Sequence, residues 1–401
     1  MASMKLVIIP AWKVKLNPEH YNLSIDKTTY FPRPLEEPTY FSKFSHLITK
    51  SQKISTCWPQ KLTLSRAQCR LLLEASKSIE ILPGSKIGDY FYRTEIKTKV
   101  PIEFRSMELP RRLGLFMRLD NCSTQDSAWD NDPIDSAEDV ACRIMSSRRA
   151  LSELEEALNA ESNASETEGL QEDPIREQWA EDDVNIKSPK SGTNAYQAKR
   201  PQSEDDNSKN GINLYFTPYN DRLSTYFEYR VFCAPPDGGI TTISQHKWRK
   251  PSVLQARYTT TGVKKITQKV FEEANRIHAE IMDAVRAGAL DKLLLDQGFS
   301  FDICYDEDYD KCVLVEANPF GARGGHGACL FHWTRDVDVL YGMTQLEVEF
   351  RISMEDSCGL PILQSFHPKR GVDYARYVQS VYSSINTYRS KLILGSKDIN
   401  S

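Results

Sequence analysis

Two apolar segments joined by a short acidic turn constrain the fold of this chain more than any other feature of its sequence. The first, FSFDICYD, covers residues 299–306, and the second, KCVLVEAN, covers residues 311–318. Both are rich in the aromatic and β-branched residues that favour strands, and the acidic residues between them are typical of a turn. We therefore predict a β-hairpin with two antiparallel strands.

Three polar side chains interrupt the apolar pattern of this hairpin. With the turn centred near residue 308, Asp302 is expected to lie opposite Leu314 and within diagonal reach of Glu316. Glu316 and Asn318 are two residues apart and therefore share a face of the strand. Two buried acids require a counter-charge, and their oxygens are ligands that Mg²⁺ prefers. We predict that Asp302, Glu316 and Asn318 bind Mg²⁺; the alternative is an acid pair neutralised by nearby lysine or arginine.

Length, charge and cysteine usage exclude several classes of protein. A chain of 401 residues is expected to form two or three subdomains. Its net charge of -4 provides no overall basic field, so we expect no nucleic-acid partner. No apolar run reaches the ~18 residues that span a membrane, and MKLVIIPAW is too short for a secretory signal. The nine cysteines form no CxxC pair, which favours reduced thiols, a cytoplasmic location and no structural zinc.

The remaining pattern of the chain predicts an α+β fold. Residues 1 to about 62 are expected to be irregular. The elements expected beyond them are a helix capped by Ser65 and reaching Ile79, a strand over 113–121, helical structure over 135–158, a strand over 211–220, a hairpin of 224–233 and 238–248 turning at two glycines, a helix over 266–287, a strand over 344–353 and a helix over 371–393.

A long acidic segment divides the chain. Residues 153–209 contain 15 acidic and 6 basic residues and few large apolar ones. Such a segment buries too little apolar surface to offset its ordering entropy, so we expect 160–210 to be a disordered insertion. It is either a solvated linker or a docking segment for a partner. The expected division of the chain is an N-terminal region and first lobe (1–112), a phosphate-side strand, turn and helix (113–159), the insertion (160–210), a lobe with the metal hairpin (211–345), and a C-terminal strand and helix (346–401).

Basic residues elsewhere are candidates for binding phosphate. Arg118 lies in the strand LFMRLD, and the following turn offers Ser123 and backbone N–H groups, which suit an anion. Arg230 lies in the apolar strand EYRVF, and Lys247 follows the strand TTISQ. Taken singly, each of these basic residues could instead serve at the surface or in an ion pair.

Four segments together resemble the cell division cycle protein 123 family, which has an ATP-grasp fold. They are LFMRLDNCSTQDSAW, FEYRVFC with the following ITTISQ, FSFDICYD, and LVEANPFG with LFHW close behind. The resemblance covers roughly residues 113–333, and the pair of FDI with acid-x-Asn-Pro-Phe is its most specific part.

This resemblance implies two α+β lobes with mainly antiparallel sheets that enclose a site for ATP and Mg²⁺. It places Arg118 where the family carries a phosphate-binding lysine, and Arg230 at the phosphates. Residues 215–220 would form the hinge beside adenine, with Tyr215, Thr217 and Tyr219. Asp302, Glu316 and Asn318 would hold Mg²⁺, in agreement with the hairpin pattern.

The chain departs from the family around the expected nucleotide. Arginine replaces the lysine at 118, Glu316 replaces an aspartate, and the hinge reads TPYN. The loop after the metal strand adds Arg323 and His326, with His332 beyond it. Arg323 could bind a carboxylate bidentately, and His326 could act as a general base toward an amine. Alternatively, Arg323 is a surface charge and His326 a polar loop residue.

Two functions follow from these features. The first is an ATP-grasp ligase that activates a small carboxylate as an acyl phosphate and joins it to an amine, as in amino-acid ligation within a biosynthetic pathway. The second is the role that the resemblance implies, an ATP-binding assembly chaperone whose partner is a subunit of translation initiation factor 2. In neither case is a membrane partner expected.

Overall fold

The computed structural model describes residues 3–22, 34–80, 89–105, 107–109, 114–129, 132–159, 211–223, 225–324, 326–343 and 347–355. The expected acidic insertion and the expected C-terminal helix lie outside these residues. The chain divides into two compact units. Unit 1 comprises residues 1–60, 112–122 and 215–401, and unit 2 comprises residues 61–111 and 123–214.

Nine strands and ten α-helices make up the described part of the chain. The strands are β1 (Ser3–Pro10), β2 (Gln60–Ser65), β3 (Leu115–Arg118), β4 (Gly211–Pro218), β5 (Glu228–Ala234), β6 (Gly239–Gln245), β7 (Phe299–Asp306), β8 (Lys311–Pro319) and β9 (Glu347–Met354). The helices are α1 (Ala11–Leu16), α2 (Phe41–Ser51), α3 (Arg66–Lys77), α4 (Asp89–Lys99), α5 (Ala137–Ser146), α6 (Arg148–Asn159), α7 (Leu254–Arg257), α8 (Thr260–Arg286), α9 (Leu293–Gln297) and α10 (Val337–Leu340). Short 3₁₀ helices lie at Pro18–His20, Glu37–Thr39, Ile102–Phe104 and Thr225–Phe227.

A six-stranded sheet forms the centre of unit 1, in the order β1-β9-β6-β5-β7-β8. The β5–β6, β5–β7 and β7–β8 pairs are antiparallel, whereas β9 runs parallel to both β1 and β6. Strands β3 and the second half of β4 form an antiparallel pair in the same unit. The expected α+β class with mainly antiparallel pairing is confirmed.

The two faces of the six-stranded sheet have opposite chemistry, because side chains alternate along each strand. One face packs against α8 and α2, and it buries Val231, Phe301 and Phe350. The other face carries the buried polar groups Arg230, Asp302, Ser244 and Glu349 together with the partly buried Arg351. A polar face that is nevertheless buried is where a ligand site is expected.

A β-bulge in β8 places Glu316 on the same polar face as Asp302. The ladder pairs Ile303 with Leu314 and then Asp302 with Glu316, so Val315 is the extra residue. Leu314 therefore faces the core, although it is two residues from Glu316. The expectation that Asp302 lies opposite Leu314 is wrong, because neither the bulge nor the four-residue turn is signalled by the side-chain pattern.

Unit 2 contains β2, the first half of β4 and helices α3 to α6, which pack on one another. Ser65 caps α3 as expected, since its side chain accepts from the backbone of Gln68 and the Gln68 side chain accepts from the backbone of Ser65. Ser136 and Asp139 form a second capping box at α5. The strands and helices expected at 65–79, 211–220 and 266–287 are present with slightly different bounds.

The expectation that residues 1–62 are irregular is wrong. Residues 3–10 form β1, which pairs with β9 along its whole length, and residues 41–51 form α2. The apolar run that was considered as a signal sequence is thus an edge strand of the main sheet. Its partner lies more than three hundred residues away, so no local pattern could reveal the pairing.

The bulge gives a test of the register. Deletion of Val315 should leave a regular ladder, and the protein should fold with a loss of about 1 kcal/mol for one partly buried valine. Deletion of Val313 should cost more, because a regular ladder then pairs Leu314 with Cys304 on the polar face and leaves Val315 in the core position of Leu314. Urea unfolding followed by circular dichroism compares the two; equal losses would contradict the assigned register.

Candidate functional site

Five strands place polar side chains along one rung of the six-stranded sheet. The backbone pairs on this rung are Arg351 with Ser244, Ser244 with Arg230, Arg230 with Asp302, and Asp302 with Glu316. Directly paired residues of a sheet point to the same face. Residues that are far apart in sequence therefore meet on the polar face.

The Arg230–Asp302 ion pair lies in the middle of this rung. The Arg230 Nε donates to Asp302 Oδ1 over 2.7 Å, and Nη2 donates to Oδ2 over 2.6 Å. Asp302 has no exposed surface, and Arg230 is 5% exposed. Burial raises the pKa of Asp302 to about 6, while the guanidinium of Arg230 opposes that rise. The carboxylate is therefore ionised at neutral pH.

The three side chains expected to bind Mg²⁺ do converge. Asn318 Nδ2 donates to Asp302 Oδ2 and to Glu316 Oε1, each over 3.3 Å. Glu316 also lies 3.8 Å from Arg230 Nη2. The predicted ligand residues thus form one contiguous buried group, in which the amide nitrogen of Asn318 faces the two carboxylates.

Arg118 approaches this group from β3. Its Nη2 donates to Glu316 Oε2 over 3.3 Å, and its guanidinium lies 4.8 Å from the centre of the Phe41 ring. The Phe41 ring in turn packs on Tyr215, with ring centres 5.3 Å apart, and the Tyr215 hydroxyl donates to Asp120. The aromatic support holds Arg118 against the carboxylates and brings Tyr215 into the same neighbourhood.

The other expected hinge residues continue along β4. Thr217 is buried and pairs with Phe116 of β3. Tyr219 follows the strand, and its N–H donates to the carbonyl of Gly114. Ser123 belongs to unit 2; it is buried, and its hydroxyl has no hydrogen-bond partner among the described residues.

The glycine-rich loop lies against the rung. Arg230 Nη1 donates to the carbonyl of Gly327 over 3.0 Å, and Arg351 Nη1 donates to the carbonyl of Leu330 over 3.1 Å. A Cβ atom at Gly327 would collide with the Asn22 side chain, which explains the glycine there. Arg323 and His326 are half-buried in this loop, and the His326 carbonyl accepts from Trp333.

Two polar residues of the site were not singled out from the sequence. Glu228 begins β5 two residues before Arg230 and is 4% exposed. His246 follows β6, and its Nδ1 lies 3.6 Å from Glu228 Oε2. The spacing of Glu228 and Arg230 could have indicated a shared face, but an acid at a strand end is usually solvated.

Lys247 is close to this part of the site. Its Nζ lies 5.2 Å from the centre of the Tyr226 ring. Burial raises the pKa of Glu228 well above its usual value, and the negative charges of Asp302 and Glu316 add to the effect. The positive charges of Arg230 and Lys247 oppose it.

The group fits a divalent cation with phosphates on chemical grounds. Three carboxylates and two guanidiniums meet in a buried region, and oxygen ligands of this kind suit Mg²⁺. Arginine side chains bind phosphate oxygens bidentately. The two alternatives for the acids, a Mg²⁺ site and an acid pair neutralised by arginine, are compatible with each other. Asp302 and Glu316 contact arginines, and a carboxylate has enough lone pairs to bind a cation as well.

Comparison with known proteins gives a limited result. No protein-family model matches the chain, and no curated protein matches it. The structure is similar to Cdc123 from Schizosaccharomyces pombe, with a TM-score of 0.42, 12% identity, and coverage of 80% of this chain and 99% of that one. A C-terminally truncated Cdc123 from the same organism gives a TM-score of 0.41, 14% identity, and coverage of 79% and 96%.

Both of these structures are of Cdc123, the protein whose family the sequence motifs resemble. Within the part of the chain that the structure describes, no helix has the length and apolar character needed to cross a lipid bilayer. None of the eight cysteines in that part forms a disulfide bond.

The buried ion pair gives a test of the site's electrostatics. Arg230→Met should lower the free energy of unfolding by about 3–5 kcal/mol, because it leaves Asp302 buried without its partner. The double variant Arg230→Met with Asp302→Leu should recover much of that loss. Urea unfolding measures both; a double variant less stable than the single one would contradict the pairing.

His332 gives a test that depends on pH. Burial lowers its pKa to about 4, with the charge of Arg335 acting in the same direction, and its Nδ1 accepts hydrogen bonds from Thr334 and Arg335. The folded-state pKa lies below the unfolded value, so the unfolded chain binds more protons between pH 6.5 and 4. Stability contributed by the neutral ring is therefore complete above pH 6.5 and is lost as the pH falls.

Between pH 7.5 and pH 5 this histidine should account for up to about 2 kcal/mol of lost unfolding free energy. His332→Gln cannot titrate and should lose correspondingly less over the same range. Urea unfolding at the two pH values compares the proteins. If both proteins lost the same unfolding free energy, the surroundings of His332 would not be what keeps its ring neutral.

Proposed function

We propose that unit 1 binds a magnesium–nucleotide complex at the cluster of Arg118, Arg230, Asp302, Glu316 and Asn318. The observation that supports this proposal is the convergence of three oxygen-bearing ligands with two buried guanidiniums. Both arginines are paired with carboxylates of the cluster, and their remaining N–H donors suit a phosphate chain. ATP is the nucleotide that the sequence resemblance implies.

Each residue has a role in this proposal. Asp302, Glu316 and Asn318 would hold Mg²⁺, which when bound neutralises and orients phosphate oxygens. Arg118 and Arg230 would bind the phosphates. Arg230 would then share its N–H groups between phosphate, Asp302 and the Gly327 carbonyl, which its five donors allow.

We propose further that the bound nucleotide controls the docking of a protein partner. An exposed basic and aromatic surface adjoins the site: Lys247 and Lys250 lie 5.2 and 5.4 Å from the Tyr226 ring centre, and Arg249 lies 4.9 Å from that of Trp248. Arginine and aromatic residues are enriched at protein interfaces. The surface fits an acidic partner, and the resemblance implies a subunit of translation initiation factor 2 in an assembly chaperone.

A carboxylate–amine ligase of the ATP-grasp kind is the second candidate. The observation that favours it is the hydrogen bond from Arg230 to the Gly327 carbonyl, because Gly327 follows His326 directly and belongs to the same loop as Arg323. Arg323 would bind the carboxylate and His326 would accept the proton of the amine. Catalysis would then depend on positioning and charge neutralisation by Mg²⁺ and the arginines.

Glu316→Gln tests the nucleotide site itself. The variant should bind Mg-ATP at least about tenfold more weakly, a loss of about 1.4 kcal/mol, because it removes one charged ligand of the cation. Titration calorimetry measures the affinity. Asp308→Asn, at the exposed tip of the same hairpin, is the matched control and should bind normally. Unchanged affinity in Glu316→Gln would exclude this metal assignment.

Phosphate release separates the two functions. With Mg-ATP and a panel of amino acids and small carboxylates, with and without an amine, the docking function predicts tight nucleotide binding and no substrate-dependent turnover. Release of phosphate that requires one particular carboxylate–amine pair would instead establish the ligase. In that case Arg323→Lys and His326→Gln should lower the turnover while Mg-ATP binding remains measurable.

A further inference from the structure

A second group of potential metal ligands lies beside the proposed magnesium site. It consists of Glu228, His246 and Asp302, whose ligand atoms all lie within 4.8 Å of one another. The backbone explains why they meet: the His246 N–H donates to the Glu228 carbonyl, and Glu228 lies two residues from Arg230, the partner of Asp302. All three side chains are on the polar face of the sheet.

Glu228 is the unusual member of this group. It is buried, and no side chain or N–H group among the described residues hydrogen-bonds to its carboxylate. His246 Nδ1 lies 3.6 Å from Glu228 Oε2, which is too far for a hydrogen bond. A buried carboxylate without hydrogen bonds is costly unless a cation binds it. The Glu228 carboxylate lies near the His246 ring nitrogen and near the Asp302 carboxylate.

The spacing suits two ligands of one metal ion. Ligand atoms about 2.0–2.2 Å from the same cation are separated by roughly 3–4 Å, as the Glu228 oxygen and the His246 nitrogen are. Asp302 can join them through Oδ1, which accepts one hydrogen bond from Arg230 Nε and retains a second lone pair, whereas Oδ2 accepts from both Arg230 and Asn318.

The imidazole distinguishes this group from the neighbouring magnesium ligands. Mg²⁺ and Ca²⁺ prefer oxygen ligands, whereas Mn²⁺, Co²⁺ and Zn²⁺ accept a mixture of imidazole nitrogen and carboxylate oxygen. Glu316 and Asn318 offer oxygen, and His246 offers nitrogen. The two groups therefore differ in the metal ions that they would select, although they share Asp302.

We propose that Glu228, His246 and Asp302 form a binding site for a first-row divalent transition metal, distinct in ligand chemistry from the proposed magnesium–nucleotide site. The charge at the site agrees with this assignment. Asp302 is paired with Arg230 and Glu316 with Arg118, whereas the Glu228 carboxylate lies beside the His246 ring nitrogen. A cation bound there would neutralise this third carboxylate.

Pulsed electron paramagnetic resonance with Mn²⁺ tests the proposal on the full chain without nucleotide. A bound imidazole nitrogen modulates the spin echo of Mn²⁺, and oxygen ligands do not. The wild-type protein should show this nitrogen modulation, and His246→Gln should lose it with at least a tenfold drop in Mn²⁺ affinity. His246 is partly exposed, so the substitution is compatible with folding. His46→Gln, on the exposed side of α2, is the matched control and should retain the modulation.

Either of two results would overturn the proposal: bound Mn²⁺ without nitrogen modulation in the wild type, or modulation that persists in His246→Gln. These results are independent of the proposed nucleotide site, because Mg-ATP binding by the wild type is measured separately by calorimetry. Failure of Mg-ATP to bind, with nitrogen modulation present, would remove the nucleotide proposal and leave the transition-metal site in place.

Discussion

The buried ion pair between Arg230 and Asp302 is the interaction on which the rest of the site depends. It joins β5 to β7 at the centre of the sheet, and its two short hydrogen bonds fix both side chains. Glu316 and Asn318 are positioned against Asp302, and the carbonyl of Gly327 is held by Arg230. A buried pair of this kind adds little net stability compared with apolar packing. Its placement on a buried polar face is the feature that supports the proposed role in binding.

The six-stranded sheet packs an apolar core on one face and carries a charged cluster on the other. The face against α8 supplies the apolar core, so the opposite face is free to bury charged groups. The bulge at Val315 is essential to this arrangement, because it lets Leu314 pack in the core while Glu316 joins the acids. Bulges are frequent next to functional sites, where they redirect a side chain.

Much of this arrangement could be predicted from local sequence pattern. The hairpin over 299–319, the cap at Ser65 and the shared face of Glu316 and Asn318 all follow from strand alternation and turn chemistry. The bulge could not be predicted, because the pattern of apolar and acidic side chains is compatible with a bulged ladder and with a regular one. The strand at 3–10 and the meeting of Glu228 with His246 depend on pairing between distant segments, which composition does not encode.

The glycine-rich loop is fastened to the rung at two points by two arginines, Arg230 at Gly327 and Arg351 at Leu330. The second arginine is itself locked by Asp336 and Glu349 and stacks on Phe331, so that end is rigid. The first arginine is the one that a phosphate would contact. A phosphate bound by Arg230 would therefore share one guanidinium with Asp302 and with the backbone of the loop. The position of the Gly327 carbonyl thus helps to set the orientation of the side chain that the phosphate would contact.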